Sequence, residues 1–268
     1  MKSIASRDNP LYKDLKHLAT SSQARRKSGR TLLDGVHLCE SYLLHVGAPL
    51  QCVVGDSARV HPEVARLLAI CEQRGTPGLV LPDALFHALS QVEHGIDILF
   101  AIETPSAAPV SALENAAVLL DNLQDPGNLG SILRSAAAAG IKEVFCSSGT
   151  AFAWSPKVLR AGMGAHFLLK ISENVDLLPL VRSAGVPVLA TSSHAEGTVY
   201  QADLTQPLAW LFGHEGQGVD AELLALATRT VAIPHRGAIE SLNVAASAAI
   251  CFFEQVRQQL AAGTAGAS

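Results

Sequence analysis

A glycine-rich turn directly after a buried apolar run is the feature that most restricts the fold of this chain. The apolar run extends from Leu208 to Phe212, and the turn after it reads Gly213-His214-Glu215-Gly216-Gln217-Gly218. Glycines let a backbone approach a ligand closely, and Glu215 supplies a carboxylate at the carboxyl end of the predicted strand. Because open α/β sheets bind ligands at such strand ends, the sequence predicts an α/β fold with a ligand site here.

A second polar cluster, Ser241-Leu242-Asn243-Val244, precedes a helix predicted from Ala245 to Leu260. We expect Ser241 to cap this helix and Asn243 to lie in its first turn. Both side chains could bond backbone groups near the helix start and also belong to a site.

A third cluster lies upstream, where Asn128 stands before a predicted helix that contains Arg134. Asn128 is interpreted either as a helix cap or as a site residue. Arg134 follows Ile132 and Leu133, so we expect it to face inward and to require an anionic partner. That partner is either Glu215, in a structural salt bridge, or an RNA phosphate or ribose.

Strands and helices alternate along the whole chain, which predicts an α/β protein of two domains. The segment from Thr104 to Ser111 is uncharged, rich in small residues and carries two prolines, so it is predicted to be an interdomain linker. The predicted domains are a small α/β domain over residues 1–105 and a larger domain over residues 112–260. Alternation in the second domain predicts a parallel sheet covered on both faces.

Charge is distributed unevenly along the chain, whose net charge is −4. Residues 1–30 carry eight Lys or Arg residues against two Asp residues. This concentration predicts a basic N-terminal arm that contacts RNA, and the alternative is an ordinary solvated helix face.

The five cysteines occur singly in apolar contexts, without the spacing of zinc ligands, which predicts buried thiols and no metal site. The apolar runs are shorter than the roughly 20 residues of a membrane helix. The polar start MKSIASRDNP lacks the apolar centre of a signal peptide. These features lead us to expect a cytoplasmic protein.

The three polar clusters together resemble a known family. The pattern G-x-E-G-x-G, followed by I-P-x-x-G-x-x-E-S-L-N-V, is similar to the SpoU/TrmH family of RNA ribose 2′-O-methyltransferases, and Asn128 to Arg134 matches a third motif in the family's order. The resemblance covers residues 113–260, and residues 1–105 resemble the family's small RNA-binding domain more loosely. It implies a C-terminal trefoil knot, S-adenosylmethionine as methyl donor, a homodimer, and an RNA substrate that is ribosomal rather than transfer RNA.

The resemblance also implies site roles, none of which requires a metal. The positions that match the family's active region are Asn128, Arg134, Glu215, Ser241 and Asn243. The positions that match its donor-binding loops are Thr191, Gly213, Ile233 and Leu242. The chain departs from the family pattern at His214, where Asn is common, at Ala245-Ala246-Ser247, and in the segment Arg160 to Ala165, where Gly162 replaces a frequent Ser.

Three other functions are compatible with parts of the sequence. Gly216-x-Gly218-x-x-Ala221 matches a short dinucleotide fingerprint, which would indicate an NAD-dependent oxidoreductase. A hydrolase using Ser241 and His235 has less support, because no G-x-S-x-G elbow occurs. A non-catalytic RNA-binding protein is the third possibility.

Overall fold

The computed structural model describes residues 1–92, 95–105 and 112–265, and the chain divides into two compact units. The first unit comprises Met1–Ser106 together with Trp154–Phe167, and the second comprises Ala107–Ala153 and Leu168–Ser268. Most of the predicted linker, residues 106–111, lies outside the described residues. The functional domains predicted for residues 1–105 and 112–260 therefore stay predictions, with residues 154–167 grouped in the first unit.

The secondary structure alternates as the sequence predicts. The strands are β1 (Lys2–Ser3), β2 (Arg30–Asp34), β3 (Gln51–Gly55), β4 (Gly78–Leu81), β5 (Ile98–Glu103), β6 (Ala117–Leu120), β7 (Glu143–Cys146), β8 (Lys170–Ser172), β9 (Val188–Thr191), β10 (Ala209–Phe212) and β11 (Arg229–Val231). The α-helices are α1 (Pro10–Thr20), α2 (Ser22–Ser28), α3 (Val36–His45), α4 (Pro62–Gln73), α5 (Asp83–His87), α6 (Pro126–Ala138), α7 (Pro156–Gly162), α8 (Leu177–Arg182), α9 (Ala221–Leu226) and α10 (Val244–Ala265).

The sheet of the first unit is mixed, with the strand order β1-β4-β3-β5-β2. Strand β5 pairs antiparallel with both β2 and β3, whereas β4 pairs parallel with β3 and β1. Helix α1 packs against this sheet through Tyr12, Leu15 and Leu18, which are buried and recur at the three- and four-residue spacing of one helix face.

Residues 1–30, the predicted basic arm, form β1, α1 and α2 of the packed unit, and their contact with RNA stays a prediction. Several of their cations already have partners. Arg25 is buried and donates from Nη1 to the carbonyl of Leu18 at 2.6 Å. Arg30 donates to both carboxylate oxygens of Asp14 at 2.9 Å. Only part of the positive charge therefore faces solvent without a protein partner.

The sheet of the second unit is parallel throughout, with the strand order β11-β9-β10-β6-β7-β8. Every residue of β6 and β10 is buried, as expected for strands covered on both faces. The predicted α/β fold with a parallel sheet is confirmed. The trefoil knot stays a prediction.

The last helix is longer than the sequence predicts. Helix α10 continues to Ala265, beyond the predicted end at Leu260.

All five cysteines are buried and unbonded to one another. Burial raises the pKa of Cys251 to about 12, so this thiol stays protonated and unreactive at neutral pH. Within the described ranges, no three His, Cys, Asp or Glu side chains are arranged to hold a metal ion. The helices described here also include none that is long and apolar enough to cross a membrane.

We expect Leu15→Ala to lower the free energy of unfolding by about 2–5 kcal/mol, because it opens a cavity under a side chain that is only 1% exposed. The matched control is Leu11→Ala on the same helix, at a side chain that is 39% exposed. That change should stay within about 0.5 kcal/mol of the parent. Urea unfolding followed by circular dichroism measures both, and equal effects would contradict the packed arrangement of α1.

Candidate functional site

The carboxyl ends of four neighbouring strands lie along one edge of the second sheet. Strands β6, β10, β9 and β11 are parallel neighbours, with Leu120 opposite Phe212 and Val231 opposite Thr191. The loops that follow these strands therefore begin side by side. Thr191, Gly213 and Ile233, which were predicted to bind a methyl donor, all belong to this edge.

The turn after β10 is held closed by its own backbone and by His214. The N–H of His214 donates to the carbonyl of Gly218, and the N–H of Gly218 donates to the carbonyl of His214, both at 2.9 Å. The His214 Nδ1 accepts from the N–H groups of Gly216 and Gln217 at 2.9 and 3.2 Å. His214 therefore acts as a structural imidazole that fixes the turn.

Gly213 has no room for a side chain. A Cβ atom at this position would lie 2.2 Å from the carbonyl carbon and oxygen of Gly218 and from the nitrogen of Val219. The closed turn brings its two backbone segments into this contact, so only glycine fits where β10 ends.

Glu215 ties this turn to the loop after β6. Its Oε1 accepts from the N–H of Asp125 at 3.0 Å, and its Oε2 accepts from the N–H of Gln124 at 3.2 Å. Oε1 also accepts from the side-chain Nδ2 of Asn128 at 3.0 Å. One carboxylate therefore accepts hydrogen bonds from three donors at or just before the start of helix α6.

Asn128 is also hydrogen-bonded to the cluster Ser241-Leu242-Asn243. Its Oδ1 accepts from Nδ2 of Asn243 at 2.8 Å, and Oδ1 of Asn243 accepts from the N–H groups of Ala245 and Ala246 at 2.9 and 3.2 Å. An unbroken series of hydrogen bonds thus runs from Glu215 through Asn128 to Asn243 and the start of α10. We refer to these three residues as the motif bridge.

This geometry corrects two helix-cap predictions. Asn243 caps α10, so the prediction that Ser241 is the cap and that Asn243 lies inside the first turn is wrong. Asp125 caps α6 by accepting from the N–H of Asn128 at 2.7 Å, so the cap interpretation of Asn128 is also wrong. The side chain of Asn128 is used for the motif bridge instead.

The electrostatics of Glu215 follow from these contacts. Partial burial raises the pKa of Glu215, but the hydrogen bonds from Asn128 and from the backbone of Asp125 and Gln124 outweigh that effect. The net result is a pKa below the ordinary value, because these donors favour the ionised form.

Two carboxylates that the sequence analysis did not select also shape this edge. Asp121, buried at the end of β6, accepts from the N–H of Asp220 at 3.0 Å. Asp220 caps α9 by accepting from the N–H of Glu222 at 2.8 Å. Two negative side chains therefore stand where a dinucleotide pyrophosphate would need the free N-terminus of α9, which argues against the NAD interpretation. The position of Asp121 directly after a buried strand was the only sequence signal for it.

Arg134 is placed differently from its prediction. Its side chain is exposed, so the expectation that it faces inward is wrong. In the part of the chain that the structure describes, it forms no salt bridge, and Glu215 is instead bonded to Asn128 and two backbone amides. Arg134 lies on the solvent side of α6, six residues after Asn128 of the motif bridge.

The structure thus brings three of the nine predicted site residues into direct hydrogen-bond contact. Asn128, Glu215 and Asn243 share the motif bridge, and Ser241 and Leu242 lie exposed immediately before Asn243. Thr191, Gly213 and Ile233 lie at the adjacent strand ends. The individual catalytic and donor-binding roles of all nine residues stay predictions.

Comparison with known proteins places this arrangement in a family. Residues 115–253 match the model of the SpoU rRNA Methylase family. An uncharacterized tRNA/rRNA methyltransferase of Synechocystis sp. is 36% identical to the chain, over 98% of this chain and 97% of that protein. The 23S rRNA (guanosine(2553)-2′-O)-methyltransferase RlmP of Bacillus subtilis is 31% identical, over 94% of this chain and 98% of that protein.

A solved structure shares the whole fold. The crystal structure of an AdoMet-bound rRNA methyltransferase from Sinorhizobium meliloti superposes with a TM-score of 0.83 at 27% identity. The match covers 96% of this chain and 97% of that chain.

We expect Gly213→Ala to destabilise the protein by about 1–3 kcal/mol or more, because the new methyl group collides with backbone that cannot move independently. Gly216→Ala in the same turn is the control, since its Cβ would meet only the His214 ring at 3.7 Å. Thermal unfolding compares the two variants. A Gly213→Ala protein as stable as Gly216→Ala would show that the turn is not closed as described.

The ionised form of Glu215 should stabilise the fold in a pH-dependent way. Because its pKa is lowered on folding, its contribution is present above its ordinary value of 4.5 and is lost as the pH falls through the lower folded-state value. Glu215→Gln should therefore be less stable than the parent at pH 7 and approach it as the pH falls below 4.5. Glu196→Gln, at an exposed loop carboxylate, is the control. A stability difference that does not change with pH would contradict this assignment.

Proposed function

This chain belongs to the SpoU rRNA methylase family, and we propose that it transfers a methyl group from S-adenosylmethionine to a ribose 2′-hydroxyl of ribosomal RNA. The observation that carries the proposal is the motif bridge, which joins all three family motifs at one sheet edge, with the exposed Arg134 further along the same helix as Asn128. The name of RlmP, a 23S rRNA 2′-O-methyltransferase, supports the substrate class, and the AdoMet-bound relative supports the donor.

The sheet edge fits S-adenosylmethionine in shape and chemistry. Gly213 leaves backbone rather than side chain at the end of β10. Thr191 ends β9, the next strand, and Ile233 follows β11 on the far side of β9. Leu242 is 36% exposed at the far side of the loop that follows β11, so it offers an apolar contact for a flat ring. When bound, the donor supplies an activated methyl group on its sulfonium, and no metal is needed for that chemistry.

The residues of the chain supply orientation and charge. The O–CH₃ bond forms as the S–CH₃ bond breaks, and the hydroxyl proton leaves to solvent, so the ribose must be held in line with the methyl group. Arg134 is suited to hold the RNA and to stabilise negative charge that develops on the ribose oxygen. Asn128 and Asn243 are already fixed by the motif bridge, and Ser241 adds a hydroxyl next to Asn243.

The same proposal includes a homodimer formed through α10, a trefoil knot, and RNA contact by the first unit. Phe253 and Leu260 of α10 are 49% and 68% exposed, which supports a further apolar contact on this helix. Arg7 and Lys27 are exposed cations that support RNA contact.

The dimer is tested by light scattering, which should give twice the chain mass of 28.1 kDa for the parent and the single-chain mass for Phe253→Asp. A single-chain mass for the parent at micromolar concentration would count against the dimer.

Arg134→Ala should lower the rate of methyl transfer by about 10²–10³-fold, because it removes one preorganised donor that stabilises the developing charge. Arg134→Lys should restore only part of the rate, since an ammonium lacks the planar, bidentate geometry of guanidinium. Single-turnover transfer to ribosomal RNA at saturating RNA and donor measures both variants.

The control is Arg182→Ala, at an exposed arginine on α8 that lies outside the motif bridge. It should leave the rate unchanged, and donor binding by calorimetry should be the same for all three proteins. An Arg134→Ala protein within a few-fold of the parent rate would overturn the proposed role. Donor binding without transfer to any RNA would instead favour the non-catalytic RNA-binding alternative.

A further inference from the structure

A second cavity lies in the first unit, among residues that the proposed reaction does not use. Its volume is about 400 Å³, within the range of small-molecule pockets. Its lining combines apolar side chains with three carboxylates and one guanidinium. The residues that carry the argument are Asp34, Val36, Val92, Ile96, Arg160 and Met163.

Asp34 presents an acceptor to this cavity. It ends β2, and its Oδ2 accepts from the hydroxyl of Ser90 and from the N–H of Gln91, both at 2.8 Å. These two bonds fix the carboxylate in one orientation. Its Oδ1 has no hydrogen-bond partner among the described residues. A ligand that donates hydrogen bonds would therefore meet a preorganised and incompletely used acceptor.

The remaining walls favour a flat ring. Val36, Val92, Ile96 and Met163 line the cavity with apolar surface, and Met163 is 45% exposed despite its position there. Apolar side chains of this kind pack well against the faces of a planar aromatic ring.

The rim carries the charge that a phosphodiester requires. Arg160, the first residue of the segment Arg160 to Ala165, contacts Oε1 of Gln91 only at 3.5 Å and keeps its other donors available. Helix α3 begins beside it after Gly35, with no side chain capping its first amides. Of the two acids at the rim, Glu40 is paired with Arg66 at 2.6 Å and Glu63 lies 4.0 Å from His61. Pairing with Arg66 therefore removes one of the two rim acids as a free negative charge, and Glu63 stays at the rim together with the free donors of Arg160.

Guanine is the base that matches these groups. Its Watson–Crick edge presents two adjacent donors, N1–H and the N2 amino group, and the free Oδ1 of Asp34 has two lone pairs to accept them. Adenine and cytosine each place an acceptor beside their amino donor, and uracil places its one N–H between two acceptors. Each of them would set an acceptor against Asp34.

From this geometry we propose that the cavity of the first unit binds an unstacked guanine of the RNA substrate, with Asp34 accepting from its Watson–Crick edge and Arg160 contacting its phosphate. The inference rests on the proposed RNA substrate and adds a second recognition point, built from residues of the first unit that the methyl transfer does not use. A base that is held in this way would position the RNA without taking part in the reaction.

The first test is titration of the full-length chain with guanosine 5′-monophosphate, followed by NMR. The parent should bind it at millimolar concentration and at least about fivefold more tightly than the adenosine, cytidine and uridine monophosphates. Asp34→Asn, which is isosteric, should weaken binding by about 5- to 150-fold, the range expected for loss of a bidentate base contact. Ser90→Ala is the matched control, because it removes one bond to Oδ2 and leaves Oδ1 unchanged. It should stay within about twofold.

Arg160→Ala keeps the Asp34 side chain and its supports intact. It should weaken the monophosphate severalfold and leave guanosine, which lacks the phosphate, unchanged. Equal binding of all four monophosphates, or an Asp34→Asn protein that binds like the parent, would overturn the proposal.

A second test links the cavity to RNA. Guanosine monophosphate should compete with RNA for the chain, and Asp34→Asn should raise KM for RNA without lowering kcat at saturating RNA. Binding without competition would identify a free nucleotide as the ligand and overturn the inference. The nucleotide titrations do not depend on turnover, so a failure of the proposed methyl transfer would be recognised separately.

Discussion

The motif bridge is the interaction on which the arrangement of the site depends. Its two side-chain contacts join residues that are 87 and 115 positions apart in the chain, so no local preference could bring them together. Glu215 and Asn243 also accept hydrogen bonds from backbone N–H groups near the helix starts. Glu215 accepts from two amides before α6, and Asn243 accepts from two amides at the start of α10. Since Asn128 is the only member that both donates and accepts across the gap, an acidic or aliphatic residue there would leave a partner unsatisfied.

The sequence predicted the fold well where local signals agree with one another. Helices α4 and α7, for example, begin at Pro62 and Pro156, and a proline in the first turn followed by an apolar pattern is a helix start signal that the sequence itself carries. The parallel sheet followed from alternation and from fully apolar strands. Cap residues were harder to assign, because Asp125 and Asn128, or Ser241 and Asn243, are chemically similar and lie within three positions of each other. Which of them caps is decided by contacts distant in sequence, and those are not visible locally.

Two interpretations were limited by the same physical cause. Arg134 was judged by its neighbours Ile132 and Leu133, but adjacent residues on a helix point in different directions. The buried face of α6 is made by Leu129, Ile132, Leu133 and Ala136, and Arg134 falls outside it. The basic arm was judged by counting charges, although Arg25 and Arg30 already have partners inside the unit. In both cases the decisive quantity was the surroundings of each side chain, which composition does not contain.

The difference between Glu215 and Asp34 shows how similar side chains acquire different tasks. Both stand where a strand gives way to a loop, and both accept backbone hydrogen bonds. Glu215 uses both oxygens for three donors, and these donors hold its pKa below the ordinary value.

Asp34 uses one oxygen, and burial raises its pKa more than its hydrogen bonds and Arg160 lower it. A carboxylate whose acceptors are fully used stabilises the chain that surrounds it. A carboxylate that is desolvated but incompletely bonded gains most from an external donor, because only a ligand can supply the contact that burial has removed. By this reasoning, Glu215 organises the site, and Asp34 is the carboxylate positioned to recognise a ligand.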